Sequence, residues 1–555
     1  MRNLLSIFTI SFLFTFANAQ WVSDPSINTP VCTETYKQKE QRLESDGNGG
    51  AFVVWRDWRN GGISGDIYVQ RLDADGNTLW SNNGNVICND LADEAAPAIT
   101  TDEKDGVIIA WSDERNVERD IYAQRIGPNG NILWSINGVP VADKANREHS
   151  EKIISDDIGG AIIVWEEEQL NGTWDIWAQR IDSTGQIVWQ AGGIPFFTVS
   201  GNRINHKIQR DGEGGVIMTC QDERNGDFDI YAQRLDSDGN RLWGNEGVII
   251  CNAQGVQSNP KIDPEKEKDG VYVSWTDKRN GADYDIYANK VDSNGVVYWG
   301  NGKVICDAQG NQSAIDILSN NKTQGLIVSW KDNRSGDYDI YAQKLTPDGD
   351  AVWSNNGIAV CDASGDQLNP NIISDKAGGA ILVWQDGRSG EFDIYSQRIS
   401  KLGILQWQTQ GEPVCTAQGD QFSPKNIPDN KGGSIYVWED KRGGVSKDIY
   451  VHHLLFEDTA STTIKELNAI SEVRVLTNPF NEIISFSVTL SAEMELDISL
   501  QNVLGQVLLS DSKSLKKGSH IVSLPTRVYL NPAGIYFLQL SSDNHSSTFV
   551  LQYKE

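Results

Sequence analysis

Through most of the chain, apolar residues come in short bursts separated by turn residues, and the bursts repeat. The run "AILVW" (Ala380–Trp384) is apolar throughout, which suits a strand buried on both faces. A polar loop, "QDGRSGEF", leads to "DIYSQRI", where Ile394 alternates with polar neighbours as in a half-buried strand. A tight turn and an apolar step ending in Trp407 follow, and "NPNIISD" precedes the run, set off by Gly378-Gly379. The pattern therefore predicts four short strands per unit, the fourth ending at the Trp. Helix start and stop signals are absent.

The unit recurs eight times. Aligned on its W-x-D element, it falls at Trp55, Trp111, Trp165, Cys220, Trp275, Trp330, Trp384 and Trp438, with Cys replacing Trp in the fourth copy. A D-I-Y-like element follows in every copy, and the apolar step ends at Trp80, Trp134, Trp189, Trp243, Trp299, Trp353 and Trp407. Four strands in about 55 residues, repeated in this way, predict an all-β, eight-bladed β-propeller with four-stranded blades. The eighth unit stops after its third strand. Trp21 and the "PVC" that follows supply the missing piece. An N-terminal strand is thus expected to close the ring and remove an open edge. The expected propeller spans 20–455, followed by a polar linker over 456–470 and a small β-sandwich over 471–555.

Composition narrows the setting. The formal charge of −28 argues against nucleic-acid binding, which needs a basic footprint. Residues 1–19 read as a signal peptide: Arg2, the apolar "LLSIFTISFLFTF", then Ala17-Asn18-Ala19. No later stretch is long and apolar enough for a transmembrane helix. Six of seven cysteines share one repeat position: Cys32, Cys88, Cys251, Cys306, Cys361 and Cys415. Equivalent positions in neighbouring blades lie about 10 Å apart, too far for a disulfide, so these are expected to be free, buried packing residues.

Beyond Ser471 the repeat is gone. Asn478-Pro479, Val503-Leu504-Gly505-Gln506, Gly518, Leu530 and Gly534-Ile535-Tyr536 occur in that order. This stretch resembles the type A C-terminal sorting domain of proteins exported by the type IX secretion system of Bacteroidetes. It departs from that family in lacking a basic residue near Thr548. The resemblance implies a small β-sandwich, a partnership with the secretion machinery, and passage via the periplasm to release or to the cell surface. The propeller resembles the "DIYAQR" repeats of such exported proteins, a likeness that implies no activity.

Chemistry is sought where the repetition breaks, because a residue pair repeated around a ring is scaffold rather than a single site. The loop pairs Asp57/Arg59, Asp113/Arg115, Asp222/Arg224 and Asp277/Arg279 are therefore assigned to fixing loops. "DADGN" (Asp73–Asn77) and "DSDGN" (Asp236–Asn240) read as hairpin turns rather than calcium loops. The sialidase Asp-box spacing fails, and no H-E-x-x-H or G-x-S-x-G motif occurs. No catalytic residue, metal ligand or cofactor is assigned.

Unit three deviates most. In "WEEEQLNGTWDIW", Glu167 replaces the Asp, Gln169 replaces the Arg, and Trp174 and Trp177 are added. Trp58 is a further surplus tryptophan. "REHS" (Arg147–Ser150) and "RINH" (Arg203–His206) replace the usual "QSNP". These loops share one face of a propeller. Trp58, Trp174 and Glu167, with Arg147 and His206 at the edge, are the expected ligand-binding residues, since aromatic rings beside carboxylates suit a sugar or a peptide. The expected function is an exported binding protein for an extracellular glycan or surface protein. The alternative is a propeller glycoside hydrolase or lyase acting on extracellular polysaccharide.

Overall fold

In the computed structural model, each W-x-D run forms the second strand of an antiparallel four-stranded sheet, and there are eight such sheets. The structure describes residues 21–116, 118–142, 144, 146–265, 270–319, 325–444, 446–455, 470–475, 483–490, 493–502, 506–525, 534–542 and 545–553. The expected signal peptide and almost all of the expected linker lie outside them. Two compact units are present, Met1–Phe456 and Glu457–Glu555. Among the described residues no helix is long and apolar enough to cross a membrane.

Blade 1 shows the pattern. Its strands are Gln38–Ser45, Ala51–Asp57, Asp66–Leu72 and Asn85–Cys88, paired in that order. The first strands of successive blades face one another around the ring axis. The second strand is buried almost throughout, as its unbroken apolar run requires. The ring closes as expected: Thr29–Cys32 pairs with Asp448–Leu454 and completes blade 8 as its fourth strand.

Two details differ from the sequence reading. The fourth strand does not end at the Trp. In blade 1 that Trp sits in the turn, and the strand is the short run after it, ending at Cys88. The Trp instead reaches the next blade: a Cβ on Gly130 would stand 2.9 Å from the Trp80 ring, and the Trp80 indole donates to the Pro128 carbonyl at 3.2 Å. Trp21 makes the same contact with blade 1, on Gly76 and the Ala74 carbonyl. The third strand is also not half-exposed. Gln397 is buried, because its amide replaces strand pairing across a widened hairpin. It donates to the Gln408 carbonyl at 2.8 Å and accepts the Trp407 N–H at 2.9 Å.

In the C-terminal unit, a three-stranded and a four-stranded antiparallel sheet share one core, which includes Phe486, Val488, Ile498, Leu500, Val522 and Leu538. On the described stretches, buried apolar residues such as Phe486, Val488 and Leu490, or Leu496, Ile498 and Leu500, alternate with less buried polar ones, as in a sandwich.

Candidate functional site

The repeated chemistry is a clasp between blades. In blade 5 the Trp275 indole donates to Asp277 Oδ2 at 2.8 Å. Arg279 ion-pairs with the same carboxylate at 2.6 Å, lies over the Tyr287 ring, and donates to Cys251 Sγ of the preceding blade at 3.3 Å. Asp277 is fully buried, so these donors offset its lost hydration. The Arg-to-Cys contact recurs at six seams: Cys32, Cys88, Cys251, Cys306, Cys361 and Cys415. All seven thiols are free and buried. Burial pushes the Cys251 thiol up to about 11 and the Cys306, Cys361 and Cys415 thiols to about 12, so they are not nucleophiles at neutral pH.

The two seams flanking blade 3 break the rule. On one side Ala142 occupies the Cys position, Glu167 replaces the Asp, and Lys144 pairs with Glu167 at 2.7 Å while lying over the Trp177 ring. Glu167 is longer than Asp, and the Trp165 indole N–H is left without a partner. On the other side the large and small residues have changed places. Trp has become Cys220, and the Cys position carries Phe197. A Cβ on Gly247 would stand 2.6 Å from the Phe197 ring, as one on Gly302 would from Trp275. Arg203 then supplies the missing indole donor. It donates to Asp222 Oδ2 at 2.6 Å, pairs with Asp175 at 2.8 Å and lies over Phe197.

Next to this altered seam lies a cleft of about 600 Å³, lined by Gln169, Leu170, Asn171, Asp175, Asn202 and Glu223 among others. Glu167 and Trp174 belong to the same loop region but do not line it. Glu167 is 2 % exposed. Trp174 is half-buried, with its ring 4.2 Å from that of His149 and its backbone N–H on Asn202 Oδ1 at 3.0 Å. Arg147 is exposed in the loop before the first strand. The stretch equivalent to "QSNP" is Glu148–Glu151, one residue later than the sequence alignment placed it. His206 is not at a rim. It is buried, meeting Glu166 at 3.2 Å, and burial pushes its imidazole down to about 4. Trp58 stands apart on blade 1, buried beneath Lys37 and Arg56.

Among the described residues, Cys88, Glu94 and Asp113 bring possible metal-ligand atoms within 4.8 Å of one another. Arg115 already answers both Asp113 and Cys88 there. Burial, then the nearby Asp113 charge, lifts the Glu94 carboxyl to about 9. With Arg115 bonded to two of its three members, the group is a variant of the clasp, and burial favours Glu94 as the neutral acid.

The C-terminal unit carries its own marker. Residues 475–552 match the family of secretion system C-terminal sorting domains. This match supports sorting through type IX secretion. In the sorting domain, Gly518 and Tyr536 lie on described strands, whereas Asn478-Pro479, Val503-Leu504-Gly505 and Leu530 fall outside the described residues. No curated protein matches the chain. Solved structures similar to it include an α-L-arabinanase of Penicillium chrysogenum (11% identity, TM-score 0.36, covering 64% of this chain and 92% of that one). Another is an endo-arabinase of Bacteroides thetaiotaomicron (17%, 0.27, 48% and 98%). A third is a Hadza microbial sialidase (9%, 0.34, 63% and 63%), of which the match spans less than two thirds. At these scores the likenesses carry no argument about activity.

Outside the sorting domain, sequence reasoning missed the Phe197/Cys220 exchange and the role of Arg203. The signal was present: Phe197 falls at the repeat position of the cysteines, and Cys220 at that of the tryptophans.

Proposed function

We propose that the protein is exported through the type IX secretion system to the cell exterior, where its propeller is a binding protein. Its ligand is a glycan, or failing that a surface protein, held at the blade 3–4 cleft. The observation that carries this reading is the coincidence of that cleft with the one sector where the clasp is altered on both sides of a blade. Its amide and carboxylate groups suit a hydroxyl-rich ligand, and the Trp174–His149 ring pair beside it offers an apolar surface for a sugar face. The test is a glycan array on the mature chain, run beside a polysaccharide hydrolysis screen. Retention of a glycan is expected, with Asn202→Ala or Trp174→Ala weakening it several-fold at unchanged thermal midpoint. The fully buried Trp384 is the contrast: Trp384→Ala should cost about 3–5 kcal/mol of stability. Turnover of a polysaccharide would replace this reading with the glycoside hydrolase or lyase alternative.

A further inference from the structure

The first strand of every blade contains a bulge. One residue in each turns left-handed (Glu40, Ala96, Ser150, Asn205, Asn259, Ala314, Asn369 and Ser423, φ 49 to 62°), and the pairing register slips there. Two residues further on, the eight blades carry Arg42, Ala98, Lys152, Lys207, Lys261, Asp316, Asn371 and Lys425. A cavity of about 380 Å³ touches blades 1 to 6 at this level, and one of about 440 Å³ touches blades 4 to 8. Cavities that reach so many blades lie on the ring axis. Both are lined by Lys207 and Lys261.

This level gathers five cations in a chain whose formal charge is −28. One ring carboxylate answers them: Asp316 pairs with Lys261 at 3.2 Å and also holds Asn371. Lys152 donates to the Ser150 and Glu151 carbonyls, Lys207 to the His206 carbonyl, and Arg42 to the Glu40 and Gln41 carbonyls. The Lys425 ammonium makes no hydrogen bond to any described residue. The neighbouring acids are engaged elsewhere. Glu151 accepts the Ser112 hydroxyl at 2.6 Å, and its burial favours the neutral acid. Glu166 is held by His206 and the Asn205 N–H. Glu40 and Glu439 pair with Arg56 and Lys447. Burial and the charges of Lys152 and Lys261 push the Lys207 ammonium down to about 7, and burial pushes Lys425 to about 8. Arg42 is exposed and the four lysines are half-buried, so the channel is open to water, but like charges gathered this closely still repel one another unless an anion joins them.

We infer that the axial channel is a binding site for a small oxyanion bearing two or more carboxylate, sulfate or phosphate groups, with Lys152, Lys207, Lys261 and Lys425 as its charge partners. Each cavity has the size of an ordinary small-ligand pocket. Ammonium-to-oxyanion hydrogen bonds are among the stronger polar contacts. The site is separate from the blade 3–4 cleft and does not depend on it.

The test uses the mature full-length chain at low ionic strength, with digalacturonate, inorganic pyrophosphate and neutral cellobiose as probes. Calorimetry should show binding of at least one anion and none of cellobiose, with a matching rise in thermal midpoint. Which anion binds tells a saccharide carboxylate from a phosphoanhydride. The Lys207→Met/Lys261→Met variant should bind at least tenfold more weakly, and Lys207→Met alone should melt no lower than the unliganded parent, since it removes repulsion. Lys425→Gln provides an independent variant with the same expected loss. The inference is overturned if neither anion binds, or if the lysine variants bind as tightly as the parent.

Discussion

Glu94 and Glu148 stand where five blades carry glutamine: Gln38, Gln257, Gln312, Gln367 and Gln421. Those glutamines use their NH₂ group, as when Gln367 donates to the Ala363 and Gly365 carbonyls at 3.1 and 2.7 Å. A carboxylate cannot donate, and neither oxygen of Glu94 or Glu148 makes a hydrogen bond of normal geometry. Protonation restores one donor. Burial drives it, aided by Asp113 beside Glu94 and Glu167 beside Glu148, and the carboxyls reach about 9 and about 8. Both values lie above the ordinary glutamate value of 4.5. The folded state thus binds protons that the unfolded chain releases. The stability tied to these groups is fully present below that value and is lost as pH rises toward 8 and 9. Glu94→Gln should therefore stabilise the protein at pH 8, by about 1–3 kcal/mol, and change little near pH 4.5. Thermal melts of parent and variant across that range check this. A variant whose advantage did not grow with pH would mean that Glu94 is ionised in the fold.

At the scale of the element, a blade edge is a matched set rather than a list of independent residues. Cys220 alone reads as a defect in the repeat, and Phe197 as an unremarkable apolar residue. Across the seam they exchange volumes, and Arg203 replaces the lost indole donor. Cys220→Trp alone should overpack and cost about 1–3 kcal/mol. Phe197→Cys alone should leave a void of similar or greater cost. Adding Arg203→Gln to both changes rebuilds the common clasp, and the triple variant should recover most of the summed loss. That non-additivity is readable from denaturant midpoints; additive losses would show that the three residues do not act together. The seam also explains what the sequence disclosed. Strand number, order and ring closure were legible because period, apolar runs and missing pieces are properties of one chain read along its length. The clasp partners were not, because Cys251 and Arg279 meet only across a seam. The buried third-strand glutamines were misread for a related reason: period-2 alternation reports side-chain type, not whether a polar group is satisfied inside. Of the residues proposed from broken repetition, Trp174 lies beside the blade 3–4 cleft and Arg147 is exposed just before blade 3. Glu167 is buried in the seam between blades 2 and 3, His206 is buried between blades 3 and 4, and Trp58 is buried in blade 1, since a deviation marks local repacking as readily as a surface.

The whole ring depends on a short N-terminal segment that joins three blades. Thr29 and Pro30 pair with Val451 and Tyr450 in blade 8. Two contacts reach blade 7: Asn28 donates to the Val414 carbonyl at 2.9 Å, and the Thr416 N–H donates to the Pro25 carbonyl at 2.9 Å. Trp21 crosses to blade 1, where its indole meets the Ala74 carbonyl at 2.8 Å and its ring covers Gly76. Val31 and Cys32 complete a core with Trp55, Val437, Ile449 and Val451. Without this segment, the strand Asp448–Leu454 becomes an open edge and that core faces water. The Asp440–Arg442 clasp also loses Asn28, whose Oδ1 accepts from Arg442 at 2.8 Å. A variant lacking residues 21–33 should therefore melt well below the parent and self-associate through the exposed edge. Trp21→Ala should have a smaller effect, because it leaves the strand pairing in place. Differential scanning calorimetry and light scattering on the two variants separate the contributions. A truncated chain that stays monodisperse and keeps the parent's midpoint would mean that the ring holds together through its blade-to-blade clasps alone.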